Sequence, residues 1–250
     1  MAELKIEPQR QPTKEEKDLW VAEAEKARQE ARKFAAEADK AEHEARVAQL
    51  ATIKAERTET EELATDKYHH IYYFTESVSS SSVQRCIDRL TYWQRLDSLT
   101  PDKPCDMQIV FNSPGGSVID GMVLFDYLQI LRKQGHRITT STLGMAASMA
   151  GILLQAGAHR VVHKEAWMLI HEVQFGASGS MGAVEDTVEW VKRIQERVLT
   201  IFSDRCKTAG EAGTAKHPLT KVQLKKRWTR KDWWIDSASA VDWGLADEVR

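Results

Sequence analysis

The N-terminal quarter of the chain carries a hydrophobic pattern that differs from the rest. Between residues 20 and 55, apolar side chains recur at alternating steps of four and three residues, and only Thr52 breaks the series. This spacing is the heptad seam of a coiled coil. The seam consists of Trp20, Ala24, Ala27, Ala31, Phe34, Ala38, Ala41, Ala45, Ala48 and Ala55. Because Thr13 and Glu16 form a capping-box pair, we predict one helix from Thr13 to Ala64, roughly 75 Å long at about 1.5 Å per residue.

A helix of this kind cannot bury its own seam and therefore needs a partner. Alanine buries little area per layer, so the pairing is either weak or very closely packed. The alternative is a single solvated helix or a partly frayed tail, because charged residues fill the outer positions.

From Tyr68 onward the pattern changes to short apolar runs that alternate with helical stretches. Alternating strands and helices predict parallel pairing with right-handed crossovers. We therefore expect an α/β fold over residues 67–250, preceded by a helical, coiled-coil-like extension over residues 1–66. The predicted strands are 70–74, 107–111, 137–141, 160–162 and 167–170, and the predicted helices are 79–96, 118–132, 146–156 and 184–206.

Composition and charge exclude several classes of function. A formal net charge of −2 gives no reason to expect nucleic acid or an anionic membrane as partner. The longest apolar run, residues 143–158, is shorter than a membrane span, and the N-terminus has no apolar signal region. Three scattered cysteines favour free thiols in a reducing compartment over a disulfide framework or a zinc site. We expect a cytoplasmic protein without cofactor or metal.

Two segments near strand ends could form a catalytic site. Asn112-Ser-Pro-Gly-Gly116 follows a predicted strand, and its glycines leave amides free to bind a phosphate or an oxyanion, although Pro-Gly-Gly is also an ordinary turn. Gly144-Met-Ala-Ala-Ser-Met-Ala-Gly151 surrounds Ser148 with small residues, and the Met149 amide lies where an oxyanion would form. Taken alone, Ser148 is better explained as a helix cap.

The third segment is Trp167-Met-Leu-Ile-His171, in which a histidine ends an apolar strand. A histidine in this position is commonly a satisfied surface or core residue. To act as a general base, His171 would have to accept the Ser148 proton and be held by a third group.

These motifs, in this order, resemble the Clp protease proteolytic subunit (ClpP) family of serine peptidases. The closing segment, from Arg230 to Asp247, also resembles the family's final motif. The resemblance covers roughly Tyr68 to Val249 and implies a triad of Ser148, His171 and Asp232, with Asp236 as the competing acid. It also implies an oxyanion hole formed by the amides of Gly116 and Met149.

The resemblance further implies a ClpP/crotonase-like fold of repeated β-β-α type units. It implies a peptide or unfolded-protein substrate and a homo-oligomeric ring that encloses a chamber. Residues 174–182 resemble the glycine-containing handle that joins two such rings. A catalytically silent ring subunit and a crotonase-type enzyme acting on acyl-thioesters are the alternatives, and the complete triad argues against both.

The sequence departs from the family at two places that concern its partners and its site. The predicted N-terminal helix replaces the axial loops that meet a ring-shaped ATPase, and Glu172-Val173 stands where a proline is expected soon after the histidine. The partner therefore stays open between an AAA+ unfoldase and a phage scaffold. The second choice would correspond to a phage head maturation protease that acts without an ATPase.

Overall fold

The structure, a computed structural model, describes residues 11–65, 68–99 and 104–250. The chain divides into two units, Met1–Leu63 and Ala64–Arg250. The boundary predicted between residues 66 and 67 lies outside the described residues. Among the described helices, none has both the length and the apolar character needed to cross a membrane.

The first unit is built on helix α1, Lys14–Leu63. The backbone N–H of Thr13 donates to the Glu16 carboxylate at 2.7 Å, and the Glu16 N–H donates to the Thr13 hydroxyl at 3.3 Å, so the predicted capping box is confirmed. No residue of α1 is buried, and Trp20 and Phe34 are 60% and 71% exposed. The seam is therefore open along its length, and its pairing stays a prediction.

The second unit is organised around a mixed sheet. Its strands are β1 (Ile71–Phe74), β2 (Met107–Ser113), β3 (Ile138–Ala147), β4 (His159–Val162), β5 (Trp167–Ile170), β6 (Trp233–Asp236) and β7 (Glu248–Val249). The main path runs β1-β2-β3-β4-β7, and all of its pairings are parallel. The second half of β3 pairs in parallel with β5, which in turn pairs antiparallel with β6. The carboxyl ends of β2, β3 and β5 are thereby brought to one edge of the sheet.

Helices cover the sheet and complete one hydrophobic core. They are α2 (Ser80–Asp97), α3 (Val118–Lys133), α4 (Met149–Leu154), α5 (Met181–Glu211), α6 (Lys221–Trp228) and α7 (Ser237–Asp242). Helix α5 is exposed over its first turns, whereas its second half buries Val198, Leu199 and Phe202. The α/β fold predicted from the alternating pattern is confirmed.

One boundary predicted from the sequence is wrong. Ala146 and Ala147 were expected to begin a helix, but they end strand β3, where they lie opposite Met168 and Leu169 of β5. The helix begins only at Met149. A run of small apolar residues is compatible with a helix or with a strand. Here the pairing with β5 makes these residues part of the strand.

The closing segment is attached to the sheet through a buried ion pair. Arg160 on β4 is 1% exposed, and its guanidinium donates to both carboxylate oxygens of Asp247, at 3.0 and 2.5 Å. The remaining donors of Arg160 reach the Gln155 side chain and the Gly244 carbonyl. The segment around Asp247 is therefore fixed beside β4.

Candidate active site

Ser148 occupies the sharp turn between strand β3 and helix α4. Its backbone lies at φ +52° and ψ −121°, a region that residues with a side chain rarely adopt. Its N–H donates to the Leu169 carbonyl at 2.8 Å, which fixes the turn against β5. Although Ser148 stands at the N-cap position, its side chain makes no capping hydrogen bond. The hydroxyl is therefore not used by the helix and is available at a cavity wall.

A glycine turn packs directly against Ser148. A β-carbon on Gly115 would lie 2.7 Å from the Ser148 β-carbon and 2.8 Å from the Met149 nitrogen, so no side chain fits there. Gly116 forms an isolated parallel β-bridge with Val78, and a β-carbon on Gly116 would lie 2.3 Å from the Val78 carbonyl oxygen. Within the described part of the chain, the amides of Gly116 and Met149 make no hydrogen bond. Two unused backbone donors thus lie on either side of the Ser148 turn.

Ser148 and His171 line the same cavity, which has a volume of about 410 Å³. The two residues come from neighbouring strand ends, since β3 pairs with β5 and His171 directly follows β5. In this conformation the Nδ1 atom of His171 contacts the carbonyl oxygen of Glu172 at 2.6 Å. The structure therefore brings the serine and the histidine together around one space without a hydrogen bond between them among the described residues.

Asp232 and His171 share a second opening of about 450 Å³ beside the first cavity. Strands β5 and β6 pair with Trp167 opposite Asp236 and Ile170 opposite Trp233. One further step of this antiparallel register places Asp232 opposite His171. Asp232 is exposed, and within the described residues its carboxylate accepts no hydrogen bond.

Asp236, the competing acid, has a different environment. It lies opposite Trp167, four residues before His171, or about 13 Å away along the strand. Its carboxylate accepts from the Ser239 N–H at 2.8 Å and from the Ser239 hydroxyl at 2.9 Å, which caps helix α7. The hydrogen bond from the Ser239 N–H lowers the pKa of Asp236. The geometry therefore favours Asp232 over Asp236 as the neighbour of His171.

The cavity beside Ser148 has an apolar floor. Ile152 from α4, Ile170 from β5 and Val198 and Phe202 from α5 line it, and each is at most 6% exposed. Ser77, Gly115 and Gly116 add polar groups to the same lining. This arrangement suits an apolar side chain held next to a polar backbone.

Two residues that contribute to this geometry were not identified from the sequence. Gly115 makes the close contact with Ser148, although the motif analysis emphasised Gly116. The Glu172 carboxylate accepts from the backbone N–H of Arg230 at 3.1 Å and so holds the segment that leads to Asp232. The Pro-Gly-Gly motif could have indicated Gly115, but nothing in the sequence links Glu172 to a residue 58 positions later.

Comparison with known proteins gives a consistent result. The Clp protease family model matches residues 64–250. The ATP-dependent Clp protease proteolytic subunit of Bacteroides thetaiotaomicron is 32% identical over 158 residues, which cover 62% of this chain and 63% of that protein. The ATP-dependent Clp protease proteolytic subunit 1 of a Synechococcus species is 31% identical over 181 residues, covering 72% of this chain and 82% of that protein. The chain thus spans less than two thirds of the Bacteroides relative. The matches confirm the resemblance and the fold inferred from the motifs.

Proposed function

The chain belongs to the Clp protease family of peptidases, and on that premise we propose that it is a serine endopeptidase with Ser148, His171 and Asp232 as its triad. The observation that carries the proposal is the Ser148 turn. A serine held at positive φ, with a hydroxyl that caps nothing and faces a cavity shared with a histidine, is arranged as a nucleophile rather than as a helix cap.

In the proposed reaction, the Ser148 Oγ attacks the scissile carbonyl while His171 accepts its proton and later delivers it to the leaving amine. Asp232 orients the imidazole and stabilises its cation. This requires the His171 ring to turn from the Glu172 carbonyl toward Asp232, a movement within the opening that the two side chains share. Catalytic hydrogen bonds are often incomplete before substrate binds, so this movement is compatible with the role.

The unused amides of Gly116 and Met149 would bind the oxyanion that develops on the substrate. Donors of this type contribute about 3 kcal/mol each to the transition state. Substitution of Gly115 would disturb the same site, because any β-carbon there collides with Ser148 and the Met149 nitrogen.

We also propose a preference for an apolar side chain immediately before the scissile bond. The floor formed by Ile152, Ile170, Val198 and Phe202 gives a polar or charged side chain no hydrogen-bond partner at its base. The rest of the substrate would pair through its backbone, so selectivity elsewhere should be broad.

The active protein is proposed to be a homo-oligomer that encloses a chamber. Large apolar side chains are exposed in and before the first turns of α5: Phe175 is 50%, Met181 75% and Trp190 50% exposed. Large exposed apolar side chains are a feature of interfaces, and residues 174–182 are those that resemble the family's handle. The three cysteines are free thiols, which supports a reducing compartment such as the cytoplasm.

The test is labelling of the purified full-length chain with a fluorophosphonate probe. We expect covalent modification at Ser148, and we expect its loss in Ser148→Ala and His171→Ala. Ser77→Ala is the matched control, because Ser77 lines the same cavity but has no proposed role. An intact oligomer that does not react would instead indicate a catalytically silent ring subunit, and modification of Ser148→Ala would place the nucleophile elsewhere.

A further inference from the structure

A second group of reactive side chains lies at the opposite end of the sheet. His70, Asp97 and Cys105 each offer one ligand atom, and these atoms all lie within 4.8 Å of one another. His70 precedes β1, Asp97 ends α2 and Cys105 precedes β2. Because these strands are parallel and Ser148 lies near their carboxyl ends, the cluster is separated from the candidate active site by the length of the sheet.

Backbone hydrogen bonds hold the segments that carry this cluster. The His70 carbonyl accepts from the Gln108 N–H at 2.9 Å, which ties the start of β1 to β2. The Asp97 carboxylate accepts from the Cys105 N–H at 2.5 Å, which ties the end of α2 to the residue before β2. The three ligands are therefore held in place by the fold even though the sequence separates them.

His136 supports the cluster from the turn before β3. Its ring is buried, and its Nδ1 atom lies 3.1 Å from the Cys105 carbonyl oxygen and 3.6 Å from the Asp97 carboxylate. The buried imidazole thus packs against the Cys105 backbone and the Asp97 carboxylate, and contacts of this kind help to fix the orientation of a ligating side chain.

The charges of these groups match a divalent cation. A metal ion is bound by the deprotonated thiolate and by the neutral imidazole, so binding would displace the Cys105 proton. One thiolate, one carboxylate and one neutral imidazole would together place two negative charges around the ion.

We propose that His70, Asp97 and Cys105 form a binding site for a thiophilic divalent metal ion, most simply Zn²⁺. A sulfur, a nitrogen and an oxygen ligand suit Zn²⁺ and exclude Ca²⁺ and Mg²⁺, which take oxygen ligands. Bonds of about 2.0–2.3 Å in a tetrahedron place ligand atoms about 3.5 Å apart, so a contraction of about 1 Å brings the three side chains to three of its corners and leaves the fourth to a water molecule. The ion would join α2 to the starts of β1 and β2.

The metal therefore stabilises the fold and takes no part in peptide cleavage. The site does not depend on the proposed peptidase function, because none of its residues lines the Ser148 cavity. An excess of metal of about 100 times the dissociation constant should raise the melting temperature of the unit by roughly 5–10 °C.

The test uses the full-length chain, freed of metal with a chelator and titrated with Co²⁺ and with Zn²⁺. We expect Co²⁺ to give a thiolate-to-metal charge-transfer band at a 1:1 ratio and Zn²⁺ to abolish it. The band should be absent in Cys105→Ser and weakened at least tenfold in apparent affinity in His70→Gln and Asp97→Asn. The thermal shift caused by Zn²⁺ should fall in the same variants, whereas fluorophosphonate labelling of Ser148 should not change.

His69→Gln is the matched control, because His69 is adjacent to His70 and exposed, and lies outside the cluster. It should bind Co²⁺ as the unchanged chain does. The proposal is overturned if Co²⁺ gives no thiolate band, if Cys105→Ser retains the band, or if His69→Gln loses as much affinity as His70→Gln. A thermal shift of equal size with Mg²⁺ would also overturn it.

Discussion

Two regions of the molecule differ in whether their polar side chains have hydrogen-bond partners. One is the Ser148 turn, and the other is the Arg160 cluster, which consists of Arg160, Asp247, Gln155 and Gly244. Arg160 is buried and has acceptors for its guanidinium in Asp247, Gln155 and Gly244. Ser148 keeps a hydroxyl that caps nothing, and Asp232 has a carboxylate that accepts no hydrogen bond among the described residues. The first region uses its polar groups to hold the chain in place, whereas the polar groups of the second have no such partners, as the proposed catalytic role requires.

The two regions also differ in backbone strain. Ser148 lies at positive φ, a conformation that costs on the order of 1–3 kcal/mol for a residue with a side chain. The pairing of β3 with β5 and the packing of Gly115 keep it there. Under the proposed function, stability and chemistry depend on separate parts of one sheet, so substitutions in the two regions should have separable effects.

The largest separable effect is expected at Asp232. Asp232→Asn should lower kcat/KM for peptide hydrolysis by about 10⁴-fold, because the imidazole loses the carboxylate that orients it. Asp236→Asn is the matched comparison. It should keep most of the activity and nearly all of the stability, since Asp236 caps α7 and asparagine caps a helix about as well as aspartate. Steady-state kinetics with a short peptide and urea denaturation of both variants measure this, and the reverse pattern would make Asp236 the catalytic acid.

At the Arg160 cluster we expect the converse, a large effect on the free energy of unfolding. Asp247→Asn leaves the Arg160 guanidinium buried without a counter-charge, so the free energy of unfolding should fall by about 3 kcal/mol. Glu189→Gln, which breaks the exposed pair with Arg193, should change it by less than about 0.5 kcal/mol. Urea denaturation checks both values. A loss of similar size in the two variants would mean that the buried Arg160–Asp247 pair contributes no more to stability than an exposed ion pair.

The same ion pair predicts a dependence on pH. Burial raises the pKa of Asp247, but hydrogen bonds from Arg160 and attraction to its charge outweigh this and hold it below its ordinary value. The stability from this carboxylate is therefore complete above its unfolded pKa of about 3.9 and is lost as the pH falls through the lower folded value. The acid-induced loss of stability should be shallower in Asp247→Asn than in the unchanged chain.

Much of the second unit could be predicted from the sequence because hydrophobic periodicity and motif order are local signals. Strands β1, β2, β4 and β5 and helices α2 and α3 are present within a few residues of their predicted bounds. Strand β3 extends six residues beyond its predicted end, and α5 extends further at both ends. Strand β6, with its Trp-Trp pair, was not predicted as an element. Its position depends on antiparallel pairing with β5, which the local pattern does not encode.

The rest depends on contacts between distant residues. Arg160 and Asp247 are 87 positions apart, and no pattern within either segment indicates the other. The cysteines also appeared scattered, yet the fold places Cys105 beside His70 and Asp97. Sequence reasoning singled out the motif that contains Ser148 but could not foresee its positive φ, because serine has no local preference for that conformation.

The smallest effect is expected from the backbone strain at Ser148. Two variants that lack the proposed nucleophile test it. Ser148→Ala keeps a β-carbon at positive φ, whereas Ser148→Gly removes it, so the glycine variant should be the more stable by about 1 kcal/mol despite its larger unfolded-state entropy. The same pair of substitutions at Ser117, an N-cap at φ −58°, gives the ordinary preference of a cap for glycine over alanine. Thermal unfolding of the four variants should show a larger difference at Ser148 than at Ser117, by roughly 1–2 °C. Equal differences would mean that the turn is unstrained, and the comparison between the two regions would then rest on unsatisfied polar groups alone.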